Sequence, residues 1–324
     1  MHYKVSVIVP YFNETATIEK TLVLLKKQTF KPREILLINS SSTDDTYIKI
    51  NKWIFRNKLN YYFKNINSNS KNPSSSKNIG IKKSKFEWIA FMDCDLYFRN
   101  NWLSQQINHL KKNNSKISVG VCSLESKNLI DIACIAQTWG YSKRVPVIPS
   151  SLVHKSIFKE IGYFDNRRAG YDRVWLKKAN LINNYQINNK CIIKYSALVH
   201  ADNFLDYFKK IFVYSKSSCG LKNFYNPYVY LLLFFLSLLL IVKNNINFFY
   251  LIFSYIIIRG YLFPFLKSCK ISFFPKAPLL IFYLPLAGFL TDVSRLFGYF
   301  FGMLNLLKVI FIPIKGFFNP FFKI

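Results

Sequence analysis

Two aspartates one residue apart, Asp93 and Asp95, follow a short apolar run, Trp88-Ile89-Ala90-Phe91-Met92. The run has the length and composition of a buried strand. Side chains two apart on extended backbone point the same way, so both carboxylates can face one spot where the strand ends. Open α/β sheets bind ligands at that edge. Two hard oxygen donors beside a cleft suit Mg²⁺ or Mn²⁺ carried in by a diphosphate. A solvated turn also favours Asp, so the pair alone does not make a site.

A second constellation is Ile161-Gly162-Tyr163-Phe164-Asp165, then Gly170-Tyr171-Asp172-Arg173-Val174-Trp175. Asp172 falls at the head of a helical pattern, where a carboxylate suits the helix dipole and can cap. The same group could instead take a proton from an attacking hydroxyl.

The elements that would position these groups alternate. Residues 5–10 read as a buried strand ended by Pro10, and Thr15 or Thr17 can cap the helix after it. Ile18, Leu22 and Leu25 share one face of that helix. Residues 34–38 form a second strand. The polar run from Asn39 to Thr46 opens a helix through Ile48, Trp53 and Ile54. This rhythm is that of a parallel sheet. Tyr61-Tyr62-Phe63 suggests a short third strand. Residues 65–77 read as a mobile Ser/Asn/Lys loop, and 78–83 as a short helix. Further on, 102–112 predict a helix, 117–122 a strand and 191–195 a late strand. Residues 204–217 predict an amphipathic helix, suited to a membrane surface or to packing on a domain. Residues 124–144 show no clear period.

Here the motifs, taken in order, resemble a known family. Val7-Ile8-Val9-Pro10-Tyr11-Phe12-Asn13-Glu14, Ser42-Thr43-Asp44-Asp45-Thr46, Lys77-Asn78-Ile79-Gly80 and Ile89-Ala90-Phe91-Met92-Asp93-Cys94-Asp95 look like the nucleotide-sugar domain of family 2 glycosyltransferases. The resemblance implies an α/β GT-A fold, Rossmann-like with a mostly parallel sheet, and an inverting transferase. It also implies that Pro10, Tyr11, Asn13, Glu14 and Asn39 line the nucleotide. Asn39 stands where an aspartate is usual, and Lys77, where Arg is common, would touch the diphosphate as a point charge. By the same resemblance, Asp95 would bind Mg²⁺ or Mn²⁺ directly. Asp93 would hold the ribose or a metal-bound water, or share the metal, and His200 would be a weaker third ligand. Asp172 would be the general base, with Tyr171 replacing the usual Glu. The Gln/Arg-x-x-Arg-Trp motif of processive synthases does not occur, which favours transfer of a single sugar.

Composition divides the 324 residues. Fifteen of the sixteen acidic residues precede position 221, and Asp292 is the other. The net charge is +29. So basic a chain could meet nucleic acid, but no motif for that appears, and an anionic membrane face or a phosphate-bearing substrate fits better. The six cysteines form no CxxC pair, which fits a reducing compartment. Met1-His2-Tyr3-Lys4 leads straight into a strand, so no signal peptide is expected.

Residues 227–242 and 246–265 read as a membrane hairpin, and 277–291 with 296–314 as a weaker pair split at Asp292 and Arg295 and interrupted by Pro285. The expected organisation is a domain over 1–220, with a nucleotide-sugar half at 1–98 and an acceptor half at 99–220. An α-helical membrane region at 221–324 follows. The lysines after the hairpin place that loop, and the catalytic domain, on the cytoplasmic side of the inner or plasma membrane. The expected partners are a nucleoside diphosphate sugar, a lipid-linked or glycan acceptor, and the membrane. A polyprenyl-phosphate acceptor and a non-catalytic nucleotide-binding scaffold are the alternatives.

Overall fold

The computed structural model describes residues 3–70, 72–183, 185–195, 199–220, 239, 243, 247–267 and 277–317. The chain packs as two units. The first holds Met1–Glu125 and Ser142–Ala197, and the second Ser126–Tyr141 and Leu198–Ile324.

The first unit is built on one eight-stranded sheet. Its strands are β1 (Val5–Tyr11), β2 (Glu34–Ser40), β3 (Phe63–Ser68), β4 (Trp88–Phe91), β5 (Leu96–Tyr97), β6 (Ile117–Ser123), β7 (Arg144–His154) and β8 (Gln186–Tyr195). The order is β3-β2-β1-β4-β7-β6-β8-β5. The β3, β2, β1 and β4 strands run parallel. The β7 strand is antiparallel to both β4 and β6, and β8 runs parallel to β6. Every residue of β1 and β2 is buried, as expected of strands covered on both faces.

Helices α1 (Ile18–Lys26), α2 (Thr46–Arg56), α3 (Pro73–Lys83) and α4 (Trp102–Asn113) connect these strands. The α1 helix buries Ile18, Leu22 and Leu25, the face its spacing predicts. In α2 the buried face is Ile50, Trp53 and Ile54, while Ile48 is exposed.

Residues 65–77 are not the loop that their composition suggests: β3 runs to Ser68 and α3 starts at Pro73. Asn72 Oδ1 accepts from Ser75 N at 2.9 Å and Pro73 opens the first turn, a helix start written in polar residues. Gly80 lets α3 lie directly on β1, since a Cβ there would collide with Ile8 Cγ2. Under the sheet, Phe91, Phe158, Phe164 and Trp175 form one aromatic cluster, with Phe158 stacked on Trp175 at 4.9 Å. Burying each such ring is worth roughly 1.5–3 kcal/mol.

The second unit is helical. The α5 helix (Leu129–Thr138) and α8 (Phe204–Ser218) pack with a long C-terminal helix, Leu280–Phe317. Their shared core includes Ile132, Ala136, Tyr207, Ile211, Leu280 and Leu284. Close approach of α8 is allowed by Gly298 and Gly302. A Cβ on Gly298 would lie 2.6 Å from the Phe212 carbonyl, and one on Gly302 2.9 Å from that of Lys216. Spacing small residues by four is how apolar helices bring their backbones together. The buried face of 204–217 thus lies against the C-terminal helix, which is neither a membrane surface nor the sheet domain on which it was expected to pack.

Among the described residues, two helices are long and apolar enough to cross a membrane, Phe249–Leu266 and Leu280–Asn305. The 227–242 segment expected to pair with the first lies outside the described residues, apart from Leu239. The expected break of the last pair at Asp292 and Arg295 does not occur, and one 38-residue helix runs through both. Pro285 cannot donate to the Ile281 carbonyl, and the Tyr261 hydroxyl does so instead at 2.8 Å. Asp292 accepts from Arg259 Nε at 2.8 Å and Nη2 at 3.0 Å, and from Tyr255 at 2.8 Å. The charge is thus matched within the unit rather than forcing the chain out. A π-helical turn, Ile256–Leu262, precedes Pro264. Gln137 of α5 donates to the Arg259 and Gly260 carbonyls there, at 3.2 and 3.3 Å.

Candidate active site

The loops after β1, β2 and β4 meet at the C-terminal edge of the parallel strands. Each contains a residue with positive φ: Asn13 (54°), Ser41 (61°) and Asp95 (59°). Left-handed backbone is uncommon outside glycine, though Asn and Asp tolerate it best, and it concentrates at functional turns.

The first two loops are laced together. Asn13 Oδ1 accepts from Thr43 N at 2.8 Å, while Asn13 N donates to Ser42 Oγ at 3.1 Å. Glu14 N donates to Thr46 Oγ1 at 2.8 Å. Asp44 accepts from Thr15 Oγ1 at 2.5 Å and from Thr46 N at 3.1 Å, so it closes the start of α2 and ties it to the first loop. Thr17 precedes α1, but its hydroxyl turns to Glu14 rather than capping.

Pro10 and Tyr11 end β1. The Pro10 carbonyl accepts from Cys94 Sγ at 3.8 Å, so the thiol between the two aspartates is turned into the fold. Tyr11 is buried and its hydroxyl donates to Asn65 Oδ1 at 2.6 Å. Asn39 is 4% exposed; its amide donates to Asn67 Oδ1 at 2.8 Å and accepts from Ser42 N at 2.9 Å. That side chain shapes the second loop from inside.

Glu14, Asp93 and Asp95 form an acidic cluster. Burial pushes the Glu14 carboxyl above its ordinary value, Thr17 opposes this, and the charges of Asp95 and Asp93 add to it. A carboxyl with two others close enough to act on it suits a hard cation. Among the described residues no three His, Cys, Asp or Glu side chains are grouped so as to hold a metal ion by themselves. A divalent ion here would therefore complete its shell from ligand oxygens and water, as Mg²⁺ commonly does.

Lys77 is neither a solvated lysine nor a cation reaching into the cleft. Its side chain is fully buried, and Nζ donates to Asp93 Oδ1 at 2.6 Å and to the Tyr171 hydroxyl at 2.9 Å. Burial alone would pull its pKa down, but Asp93 and Tyr171 more than offset this, so the ammonium is held above its ordinary value. Tyr171 is the first residue of α7 (Tyr171–Asn183), and Asp172 is the second. Burial raises the Asp172 carboxyl, opposed by the Arg173 N–H that donates to its Oδ1 at 2.8 Å.

His200 belongs to the second unit. Asp131, fully buried at the start of α5, accepts from the backbone N–H of Val199 at 2.9 Å and of His200 at 2.7 Å. The ring Nε2 meets Thr138 Oγ1 at 2.8 Å, and Nδ1 is buried with no hydrogen-bond partner among the described residues. Burial, with the charges of Lys210 and Arg295, holds its pKa down to about 3. An unfolded histidine takes up a proton near 6.5, so stability is intact above that pH and is lost as pH falls from 6.5 towards 3. The slope is up to ~1.4 kcal/mol per pH unit. Melting temperatures from pH 7 to 4 should fall less steeply in His200→Gln than in the unaltered protein.

The family model for glycosyl transferase family 2 matches residues 6–178. The chain belongs to glycosyl transferase family 2. Within the family it is 34% identical over 130 residues to the poly(ribitol-phosphate) beta-N-acetylglucosaminyltransferase TarP of Staphylococcus aureus, covering 38% of each chain. It is 30% identical over 129 residues to WfgD of Escherichia coli, a UDP-Glc:alpha-D-GlcNAc-diphosphoundecaprenol beta-1,3-glucosyltransferase, covering 40% of this chain and 49% of that one. The match thus spans half or less of either relative. The fold is shared with the mannosyltransferase PcManGT from Pyrobaculum calidifontis, solved with GDP-Man and Mn²⁺. That likeness has a TM-score of 0.56 at 13% identity and covers 91% of this chain and 88% of the other. The family 2 sheet described above is accordingly of the GT-A type.

Proposed function

We propose that this chain is a membrane-anchored, inverting glycosyltransferase. It moves one sugar from a nucleoside diphosphate donor to a lipid-linked or cell-envelope glycan acceptor. The observation that carries the reading is the convergence of Glu14, Asp93 and Asp95 on one strand edge, with Asp93 joined through Lys77 to the helix that carries Asp172. The relatives' names, which specify poly(ribitol-phosphate) and alpha-D-GlcNAc-diphosphoundecaprenol, support a cell-envelope or lipid-linked acceptor class.

In this reading Pro10, Tyr11, Asn13, Glu14 and Asn39 shape the nucleotide pocket, Asn39 acting through the loop it braces. Asp95 faces the divalent ion, Mg²⁺ or Mn²⁺, and Asp93 presents its second oxygen to the ribose or a metal-bound water. The ion, when bound, would neutralise the diphosphate leaving group. Asp172 takes the proton from the acceptor hydroxyl as its oxygen forms the new bond to the anomeric carbon. The carbon–oxygen bond to the diphosphate breaks on the opposite face. A raised carboxyl is the better base for that task.

The nucleotide-sugar half is 1–98 and the acceptor half 99–220, the latter drawing 126–141 and 198–220 from the helical unit. The apolar helices Phe249–Leu266 and Leu280–Asn305 supply the membrane attachment, with catalysis on the cytoplasmic side of the inner or plasma membrane. Arg167, Arg168 and Arg173 surround Asp172 in sequence, which favours as a second reading an acceptor that is itself a lipid phosphate.

The test is donor binding. Purified protein in detergent is melted with a panel of nucleoside diphosphate sugars, each with Mn²⁺, Mg²⁺ or EDTA. A ligand that binds only the folded state raises the melting temperature. One donor should do so in a metal-dependent way, and Asp95→Ala should abolish the shift. No shift with any donor in folded protein would overturn the transferase reading in favour of a scaffold.

A further inference from the structure

A buried lysine is costly unless its charge is matched, and Lys77 is matched twice. Two of its three donors go to Asp93 Oδ1 and the Tyr171 hydroxyl, and Nζ lies 5.5 Å from the Tyr171 ring centroid. The helix that carries it is itself fixed. Asn78 exchanges two hydrogen bonds with the Phe164 backbone, at 2.8 and 3.1 Å, and Ser74 exchanges two with that of Arg167, at 2.9 and 3.0 Å. So α3 is a brace between the end of β4 and the segment leading into α7, and the ammonium cannot swing away.

We infer that Lys77 is a positioning residue, a built-in counter-cation that occupies Asp93 Oδ1 and closes that oxygen to a divalent ion. The inference rests on reading Asp93 and Asp95 as the donor-diphosphate site. A neutral Tyr171 as its other partner leaves the Lys77–Asp93 pair without net charge, where a second carboxylate would have left it negative. The donor-free site is therefore a poor trap for a cation. The divalent ion is recruited only with the diphosphate, whose oxygens replace the ligand that Lys77 withholds. Binding of metal and donor is then strongly coupled, and coupling between two ligands is reciprocal.

The experiment titrates Mn²⁺ into full-length protein in detergent and reads the free-ion signal by electron paramagnetic resonance. Without nucleotide, the unaltered protein should bind weakly. Lys77→Met removes the counter-cation and should tighten donor-free Mn²⁺ binding tenfold or more. Adding Asp93→Asn to that variant should return affinity to the starting level. Asp93→Asn alone leaves the Lys77 ammonium unmatched and should bind donor-free Mn²⁺ no more tightly than the unaltered protein, an outcome that does not depend on how well Lys77→Met folds. Equal affinity in folded Lys77→Met and unaltered protein, or tighter binding in Asp93→Asn alone, would overturn the inference. UDP and GDP are then added to the unaltered protein. If neither tightens Mn²⁺ binding, the donor-site reading fails while the comparison of variants still stands.

Discussion

Asp172→Asn lowers kcat by roughly 10²- to 10⁴-fold in a transfer assay, the range expected when a general base is removed. The donor-induced melting shift should survive, because the role proposed for Asp172 lies in the acceptor step and not in the nucleotide pocket. With Asp172 as the proposed base, activity of the unaltered protein should fall on the acid side as this carboxylate takes up its proton. That limb lies above the ordinary aspartate range, since burial raises the carboxyl. Asp172→Asn removes the limb together with the rate. Full activity in Asp172→Asn would instead identify an acceptor that needs no base. A phosphate is such an acceptor, already ionised at neutral pH.

Asp292→Leu destabilises the helical unit by ~3 kcal/mol or more, because it leaves the guanidinium of Arg259 with the neutral Gln137 amide oxygen and no counter-charge. Both partners are about nine-tenths buried, so solvent screens little of the loss. Arg259→Met should cost less, since Asp292 keeps the Tyr255 hydroxyl and has Arg295 at 3.9 Å. The double variant should recover much of the loss, since packed apolar groups can replace a buried pair at little cost. Thermal melting in detergent of the two single variants and the double variant gives the cycle. Additive losses would mean that the pair is not coupled.

Much of the sheet was legible because its strands are apolar runs of the right length and its helices bury faces at helical spacing. The Asp93–Asp95 pair could be placed at a strand end for the same reason. What could not be read has specific physical causes. The β3 strand and α3 are written largely in Ser, Asn and Lys; β3 is held by its pairing with β2, and α3 by hydrogen bonds to Phe164 and Arg167, some ninety residues away. No periodicity reports such bonds. The α5 helix is buried almost all round, so its pattern has no polar face to give a period. The C-terminal helix looked broken because Asp292, Arg295 and Pro285 each oppose an apolar helix locally. Their partners, Arg259 and Tyr261, lie on another segment. Lys77 looked like one lysine among many, and only its distance to Asp93 and Tyr171 separates it from the rest.

The α5 excursion carries a consequence for how such a protein can be taken apart. The chain leaves the sheet unit at Glu125, returns at Ser142 and leaves again at Ala197, so the two units are joined by three crossings rather than one. Stopping translation near residue 220 would not release a self-sufficient soluble half. It would strip Ile132, Ala136, Tyr207 and Ile211 of the surface formed by Leu280, Leu284 and Ala287. The shortened chain would display a fresh apolar face, a feature that promotes aggregation. Exchanging the helical unit for another would likewise mean replacing α5 from within the chain as well as everything after Ala197.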